Sequence, residues 1–385
     1  MAYPRSFSPA DWLERRWAAP SYGGWLLFAL GLCFFGAATN TMSGWLYVLS
    51  GLIFALLLLG AWFPLQSLKA LTFQRPLPEP VSAGEELTLV LEINNPGKTA
   101  KTLLQFWDLL PPQLGRPQGK ALEYLAPQSR HTWRYYQPAP RRGVYRWQTL
   151  EVRTGAPLGL FWCRRAFPLQ SRAIVYPQVL PLNQCPLVDA IGAEESPKVQ
   201  SDRRYLAANE GVTKTLRPYR YGDSMRLIHW RTSARLDEFQ VRELEVITGG
   251  QDLVIALDTE ANWNEEDFEQ AVIAAASLYF YGQRMQLTVR LWTASGGLVS
   301  GARPVLETLA AAQWGERSLE PAPENLPLIW ITTQPQTLGD LPLHSRWLLF
   351  PPGETFAAGG TGLIIDRERD LGAQLSQPLP LLASL

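Results

Sequence analysis

The sequence is poor in the residues that most often carry metal or redox chemistry. Only three cysteines (Cys33, Cys163, Cys185) and three histidines (His131, His229, His344) occur in 385 residues. Three widely spaced thiols exclude a disulfide scaffold and suit a reducing compartment. Three scattered imidazoles leave no histidine-based metal site. Net charge is lacking too: 35 lysines and arginines face 35 aspartates and glutamates. That balance argues against a chain built to bind nucleic acid along its whole length. Charged residues make up only 18% while 46% are hydrophobic, so the chain is not a disordered one. The motifs Gly-x-Ser-x-Gly, His-Glu-x-x-His and Cys-x-x-Cys do not occur. Gly97-Lys98-Thr99 resembles the end of a nucleotide-binding loop, but Glu92 stands where its first glycine belongs.

The most informative absence is local. From Trp17 to Leu68 there is no Asp, Glu, Lys, Arg or His. Two apolar stretches, Tyr22 to Ala38 and Trp45 to Phe63, flank the polar turn Thr39 to Gly44. At a rise of about 1.5 Å per residue, such stretches approach the thickness of a hydrocarbon core of about 30 Å. The pattern predicts a region 1–69 containing a short tail and two transmembrane helices, about 20–40 and 44–64. Trp17, Trp25, Trp45 and Trp62 lie near their ends, where indole suits the headgroup layer. Arg5, Arg15 and Arg16 precede the hairpin, Lys69 and Arg75 follow it, and the turn is uncharged. The positive flanks place both chain ends, and the remaining mass, in the cytoplasm of a multi-pass inner-membrane protein. The competing reading, a cleaved signal peptide before one anchor helix, lacks a small-residue cleavage site between the stretches.

After Lys69 the pattern turns to period two. Leu87, Leu89, Leu91 and Ile93 alternate with Thr88, Val90, Glu92 and Asn94, and Asn95-Pro96-Gly97 turns the chain. Short strands are expected at Leu103 to Trp107, His131 to Tyr135, Val144 to Trp147 and Leu150 to Arg153, separated by Pro and Gly clusters. Over 70–184 this reads as an immunoglobulin-like β-sandwich. From 185 to 385 strands alternate with helices. Leu253 to Leu257 is a buried run ending at Asp258, and Asn264 can cap a helix whose first turn carries Glu265, Glu266 and Asp267. Gln286 to Trp292, Leu326 to Thr332, Arg346 to Phe350 and Leu363 to Ile365 read as strands, and Pro304 to Gln313 as a helix. That alternation implies an α/β domain with a mostly parallel sheet covered on both faces. Ligands of such sheets sit beyond the carboxyl ends of the strands, where Asp258 stands.

The densest chemistry runs from Leu216 to Glu245. Arg217, Arg220, Arg226, Arg231, Arg235 and Arg242 outnumber Asp223, Asp237 and Glu238, with Glu243 and Glu245 following at its end. Tyr221-Gly222 reads as a turn and Asp223 as the cap of a short helix reaching about Ala234, from which Arg226, His229, Trp230 and Arg231 would project. Tyr219, Gly222, Asp223, Arg226, Ile228, Trp230, Ser233, Ala234, Arg235, Val241, Arg242, Glu243 and Glu245 form a pattern that resembles the signature of the bacterial domain-of-unknown-function fifty-eight family.

The resemblance implies a membrane hairpin, a β-rich segment, this motif and a domain similar to von Willebrand factor type A. It also implies a MoxR-type AAA+ ATPase as partner. No firm biochemical activity is attached to the family. The metal-binding version of that domain carries Asp-x-Ser-x-Ser after its first strand, whereas this chain has Asp258-Thr259-Glu260-Ala261-Asn262. Asp258, Glu260 and Asn262 still offer oxygen atoms to Mg²⁺, but no cofactor is expected, and a sheet-end aspartate holding the next turn is the plainer role. The expected function is therefore a non-enzymatic, membrane-anchored adaptor bound to the lipid bilayer and to an ATPase, with no nucleic acid. Its contact motif is Tyr219, Gly222, Asp223, Arg226, Trp230, Arg231, Ser233, Arg235, Arg242 and Glu243. The alternatives are a divalent-metal hydrolase using the Asp258 loop with Asp223, and a purely structural motif whose arginines pair with Glu243, Glu245 and Asp237.

Overall fold

The computed structural model describes residues 9–193, 213–220, 225, 228–236, 238–244, 252–318, 321–323, 326–342, 344–351 and 361–378. The chain forms two compact units, Met1–Pro177 and Gln178–Leu385.

The first unit begins with helix α1 (Pro9–Arg16), the short strand β1 (Ala19–Pro20) and two long helices, α2 (Tyr22–Thr41) and α3 (Gly44–Ser67). Both long helices are long and apolar enough to cross a membrane. The Ser21 hydroxyl caps α2 by accepting from Gly24 N at 3.2 Å, and Met42 leaves it with the left-handed φ of 53°. Gly31 brings α2 against Ile53 and Phe54 of α3, where even a Cβ would lie 3.0 Å from Ile53. Phe28 meets Phe54, and Phe35 meets Tyr47, edge to face. Pro64 is accommodated within α3, and the helix runs on to Ser67, past the expected end near residue 64.

Strands β2 (Thr72–Gln74), β3 (Val81–Ser82), β4 (Glu86–Asn95), β5 (Lys101–Asp108), β6 (Gln118–Leu125), β7 (Ser129–Pro138), β8 (Gly143–Thr154) and β9 (Phe161–Tyr176) follow. They make two sheets, β2-β4-β7 and β1-β9-β8-β5-β6 with β3 added beside β9. One core joins them: Leu87, Leu89, Leu91 and Ile93 of β4 meet Leu104, Phe106, Leu150, Val152, Ala173 and Val175 from the other sheet. The period-two alternation thus places one face of β4 wholly inside. The two strands expected at Val144 to Trp147 and Leu150 to Arg153 are one continuous β8. Its register against β9 shifts between Trp147 and Thr149, where Gln148 faces both Leu169 and Gln170, so a bulge in β9 takes up the extra residue and the ladder continues.

Polar chemistry inside this unit is concentrated at two places. Within the sandwich, Asp108 pairs with Arg75 at 2.7 Å and accepts from Tyr135 Oη at 2.6 Å and Trp147 Nε1 at 3.0 Å. Burial pushes the Asp108 carboxyl up, and Arg75, Tyr135 and Trp147 pull it back. At the helical end, Glu14 of α1 is only 4% exposed and is held by Arg153 of β8 and Arg164 of β9. Arg164 also lies 3.6 Å from Asp11 and 3.7 Å from Glu151, which pairs with Arg15 at 3.1 Å. Arg165 donates to the backbone carbonyls of Glu14, Arg15 and Arg16, closing the carboxyl end of α1. Close by, Ser21 N donates to Leu160 O at 2.8 Å. Gly24 makes that approach possible, since a Cβ there would stand 2.3 Å from the same oxygen. Gly60 of α3 faces Phe161 at the start of β9. Strand β9 thus touches α1 and α3, and Leu160 just before it meets the start of α2.

The second unit opens with α4 (Pro186–Ala193), the antiparallel pair β10 (Thr213–Pro218) and β11 (Gln240–Leu244), and α5 (Trp230–Leu236) between them. A sheet of β12 (Asp252–Leu257), β13 (Thr288–Thr293), β14 (Gly297–Val299), β15 (Leu328–Thr332), β16 (Arg346–Leu349) and β17 (Gly362–Ile364) follows, in the order β14-β13-β12-β15-β16-β17. All its pairings are parallel except β13 with β14. The remaining helices are α6 (Glu265–Arg284), α7 (Ala302–Ala311) and α8 (Leu371–Leu375). Asn264 stands at the cap position of α6 but its side chain makes no capping bond, so the acidic first turn alone faces that helix end.

Helices on both faces were expected, yet among the described residues α4, α6, α7 and α8 all contribute to one core. That core meets Leu253, Ile255, Leu257, Leu291, Ile329 and Ile331. The opposite face carries Val254, Ala256, Trp292 and Leu328, with Trp330, Ala322, Leu326 and Leu341 packed against them. Trp292 and Trp330 stack at 5.6 Å, so indoles cover much of that face themselves.

Replacing Glu14 by Ala would leave Arg164, whose side chain is 2% exposed, with only the longer contacts to Asp11 at 3.6 Å and Glu151 at 3.7 Å. Thermal or denaturant unfolding of the detergent-solubilised chain should show a loss of about 3 kcal/mol, whereas a surface ion pair would show less than about 1.

Candidate functional site

Two groups of side chains concentrate the chemistry of the second unit. The first surrounds α5. The sequence suggested a helix from Asp223 to about Ala234, but the described helix starts at Trp230. The reason is local: Ile228 forms a β-bridge with Val241, and His229 N donates to Gln240 O at 2.7 Å. The backbone is therefore committed to β11 until His229, which takes over the cap. Its Nδ1 accepts from Thr232 N at 3.2 Å and lies 2.7 Å from Thr232 Oγ1. Gly222, Asp223, Arg226 and Glu245 lie outside the described residues.

Ser233 is buried and works as a clasp. Its hydroxyl donates to His229 O at 3.0 Å and accepts from Gln240 N at 2.8 Å, fastening α5 to β11. Tyr219 N donates to Phe239 O at 2.8 Å on the neighbouring strand ends. Arg242 and Glu243 belong to β11, opposite Leu216 and Thr215 of β10. Trp230, Arg231 and Arg235 instead face outward. Trp230 is 58% exposed and meets Phe239, itself 55% exposed, edge to face at 6.0 Å; Tyr219 reaches the same ring at 6.3 Å. Met225 and Leu236 are exposed as well. The sequence reading missed Phe239. Its one signal was position, directly before the period-two run of β11, and a lone aromatic there reads equally well as core.

The second group lies beyond the carboxyl end of β12. Asp258 is buried, and all of its described bonds are internal. Oδ1 accepts from Glu260 N at 3.2 Å and Ala261 N at 3.3 Å; Oδ2 accepts from Thr332 Oγ1 at 2.7 Å. Its carbonyl accepts from Trp263 Nε1 at 2.7 Å. Glu260 turns away and accepts from Ser318 N at 2.8 Å, while Asn262 is exposed. Among the described residues no group of three or more His, Cys, Asp or Glu side chains is placed to hold a metal ion. Burial pushes the Asp258 carboxyl up, and the Thr332, Ala261 and Glu260 bonds offset part of that push.

No family model matches the chain, and no curated protein does. Among solved structures, the chain is similar to the CARDB domain of a Pyrococcus furiosus protein, at 11% identity over 27% of this chain and 93% of that one, TM-score 0.19. It is also similar to a β-glucosidase from Listeria innocua, at 12% identity over 27% of this chain and 16% of the enzyme, TM-score 0.16. A GH20 exo β-N-acetylglucosaminidase from Vibrio harveyi matches at 6% identity over 69% and 31%, TM-score 0.17. Likeness at these scores transfers neither fold nor activity.

The Asp258 geometry gives a pH signature. A carboxyl whose folded pKa is raised costs stability as pH climbs from its unfolded value through its folded one, and the cost is complete above that. Asp258→Asn keeps the acceptor for Glu260 N and Ala261 N and an amide for Thr332. It should flatten this part of the stability–pH curve in urea titrations. Asp258→Ala loses all three bonds and should cost about 2 kcal/mol.

Proposed function

We propose that the protein is a membrane-anchored adaptor whose second unit presents the Tyr219–Trp230–Phe239 surface to a protein partner. The observation that carries this reading is the pairing of exposed rings with outward arginines. Trp230 and Phe239 are more than half exposed, Arg231 and Arg235 lie on the same short helix, and the β10–β11 ladder and the Ser233 clasp hold the rings in place. Rigid aromatics beside arginine are the residue types that anchor protein interfaces. A solvated helix needs no indole outside.

Anchoring is supported by the outward faces of α2 and α3. Leu26, Phe28, Leu32, Val48, Leu52 and Leu58 are exposed on them, where a core helix of a soluble domain would bury such side chains. The flanking Arg15, Arg16, Lys69 and Arg75 favour a cytoplasmic position for both ends. Membership of the domain-of-unknown-function fifty-eight family belongs to this proposal. The sheet order, with its single antiparallel edge and an aspartate beyond the first parallel strand, supports a von Willebrand type A-like domain. An immunoglobulin-like assignment for the sandwich rests on its short alternating strands and turns, and a MoxR-type AAA+ ATPase as partner follows from the family resemblance. The hydrolase alternative draws no support from Asp258, both of whose carboxyl oxygens accept hydrogen bonds within the fold.

Affinity purification from gently solubilised membranes tests the adaptor reading. Wild type should recover an AAA+ ATPase. Trp230→Ala combined with Phe239→Ala should lower that recovery at least about tenfold without shifting the unfolding transition. Unchanged recovery would refute the surface. An unfolded double variant would make the motif structural. Protease added outside intact spheroplasts should leave the second unit uncut.

A further inference from the structure

Helix α1 wears its amphipathicity inside out. Its inward side presents Asp11 and Glu14 to Arg164, with Glu14 4% exposed. Its outward side presents Trp12, 62% exposed, and Arg16 one helical turn later, with Trp17 63% exposed just beyond. In water the preference would be the reverse, since a carboxylate gains from hydration and an indole does not. The inversion is consistent with an outer medium that is not bulk water.

The surroundings indicate which medium. After β1 the chain enters α2 at Tyr22, so α1 lies where the long helices leave the sandwich. At that same end Tyr22, Trp25 and Trp62 are exposed, which makes a belt of amphipathic rings with Trp12 and Trp17. Rings with one polar edge settle at the headgroup layer, between hydrocarbon and water. Arg16 and Lys69 are exposed at this level too, and cations there attract acidic headgroups.

We propose that Trp12, Arg16 and Trp17 sit in the headgroup layer of an anionic bilayer, making α1 an interfacial helix. Its inner side is clamped to β8 and β9 by Glu14, and its outer side rests on lipid. The helix thereby sets the height and tilt of the sandwich over the membrane surface. This inference rests on reading α2 and α3 as membrane-spanning.

Nitroxide labels on the full chain separate the two ideas. Cys33, which is exposed, is replaced by Ala, while buried Cys163 and Cys185 stay. Single cysteines are then placed as Trp12→Cys, as Val48→Cys on the outward side of α3, and as Arg172→Cys on the exposed side of β9. Collision with oxygen and with a nickel chelate is measured in nanodiscs of phosphatidylcholine and phosphatidylglycerol. The expected result is a label at 48 in hydrocarbon, one at 172 in water, and one at 12 with oxygen access several-fold above that at 172 and reduced nickel access. A label at 12 indistinguishable from that at 172, with 48 still in hydrocarbon, overturns the interfacial helix and leaves anchoring intact. Water-like behaviour at 48 overturns anchoring, and the interfacial helix with it.

Discussion

The buried carboxylate of Glu14 ties α1 to β8 and β9. Burying a charge is costly unless it is paired and hydrogen-bonded, and Arg153 and Arg164 supply the partners. Such networks contribute little net stability compared with well-packed apolar side chains. What they do well is direction: few arrangements satisfy every charge at once. Here the satisfied arrangement ties α1 to the two longest strands, and β9 runs from the helices at Phe161 to the sandwich core at Val175. Tilting the helical pair against the sandwich would break the Ser21–Leu160 bond and the Gly24 and Gly60 contacts together, and would pull on α1, which the Glu14 cluster holds.

In the second unit polar groups are used in two opposite ways. Asp258 looks inward: its oxygens end a strand, start a turn and reach across to Thr332 on β15. The α5 region looks outward. Ser233 and His229 spend their polar atoms on the scaffold, which frees Trp230, Arg231, Arg235 and Phe239 from structural duty. One motif thus contains both the frame and the face it displays. Its short spacing reflects how small a strand–helix–strand unit can be.

Much of this was legible in the sequence, for reasons that differ by region. The charge-free run located α2 and α3 because hydropathy is a sum over many residues. Alternation located β4 because one face of a sandwich is wholly buried. Glu14 was not legible: an acid between Leu13 and Arg15 reads as a solvated surface residue, and its partners lie some 140 residues further along. Phe239 was hidden for the converse reason, an aromatic beside a strand being expected inside. The expected run of helix to Ala234 is interrupted at Ile228 and His229, while Asp223 lies outside the described residues. Pairing of Ile228 with Val241, a tertiary event, settled where helix could begin. The metal alternative at Glu260 and Asn262 counted oxygen atoms, and no sign in the sequence showed that Glu260 Oε1 accepts from Ser318 N.

Held by the Glu14, Ser21, Gly24 and Gly60 contacts, hairpin and sandwich should move as one body. Pulsed electron–electron distance measurement tests it directly, with labels at Leu58→Cys on α3 and Arg172→Cys on β9, Cys33 replaced by Ala, in lipid nanodiscs. At a strand rise of about 3.3 Å per residue, Phe161 and position 172 lie roughly 36 Å apart, and Phe161 abuts α3 at Gly60. A single narrow distance peak near that value is predicted, broadening when Glu14→Ala is added. A broad or multi-peaked distribution in the unaltered background would contradict the claim.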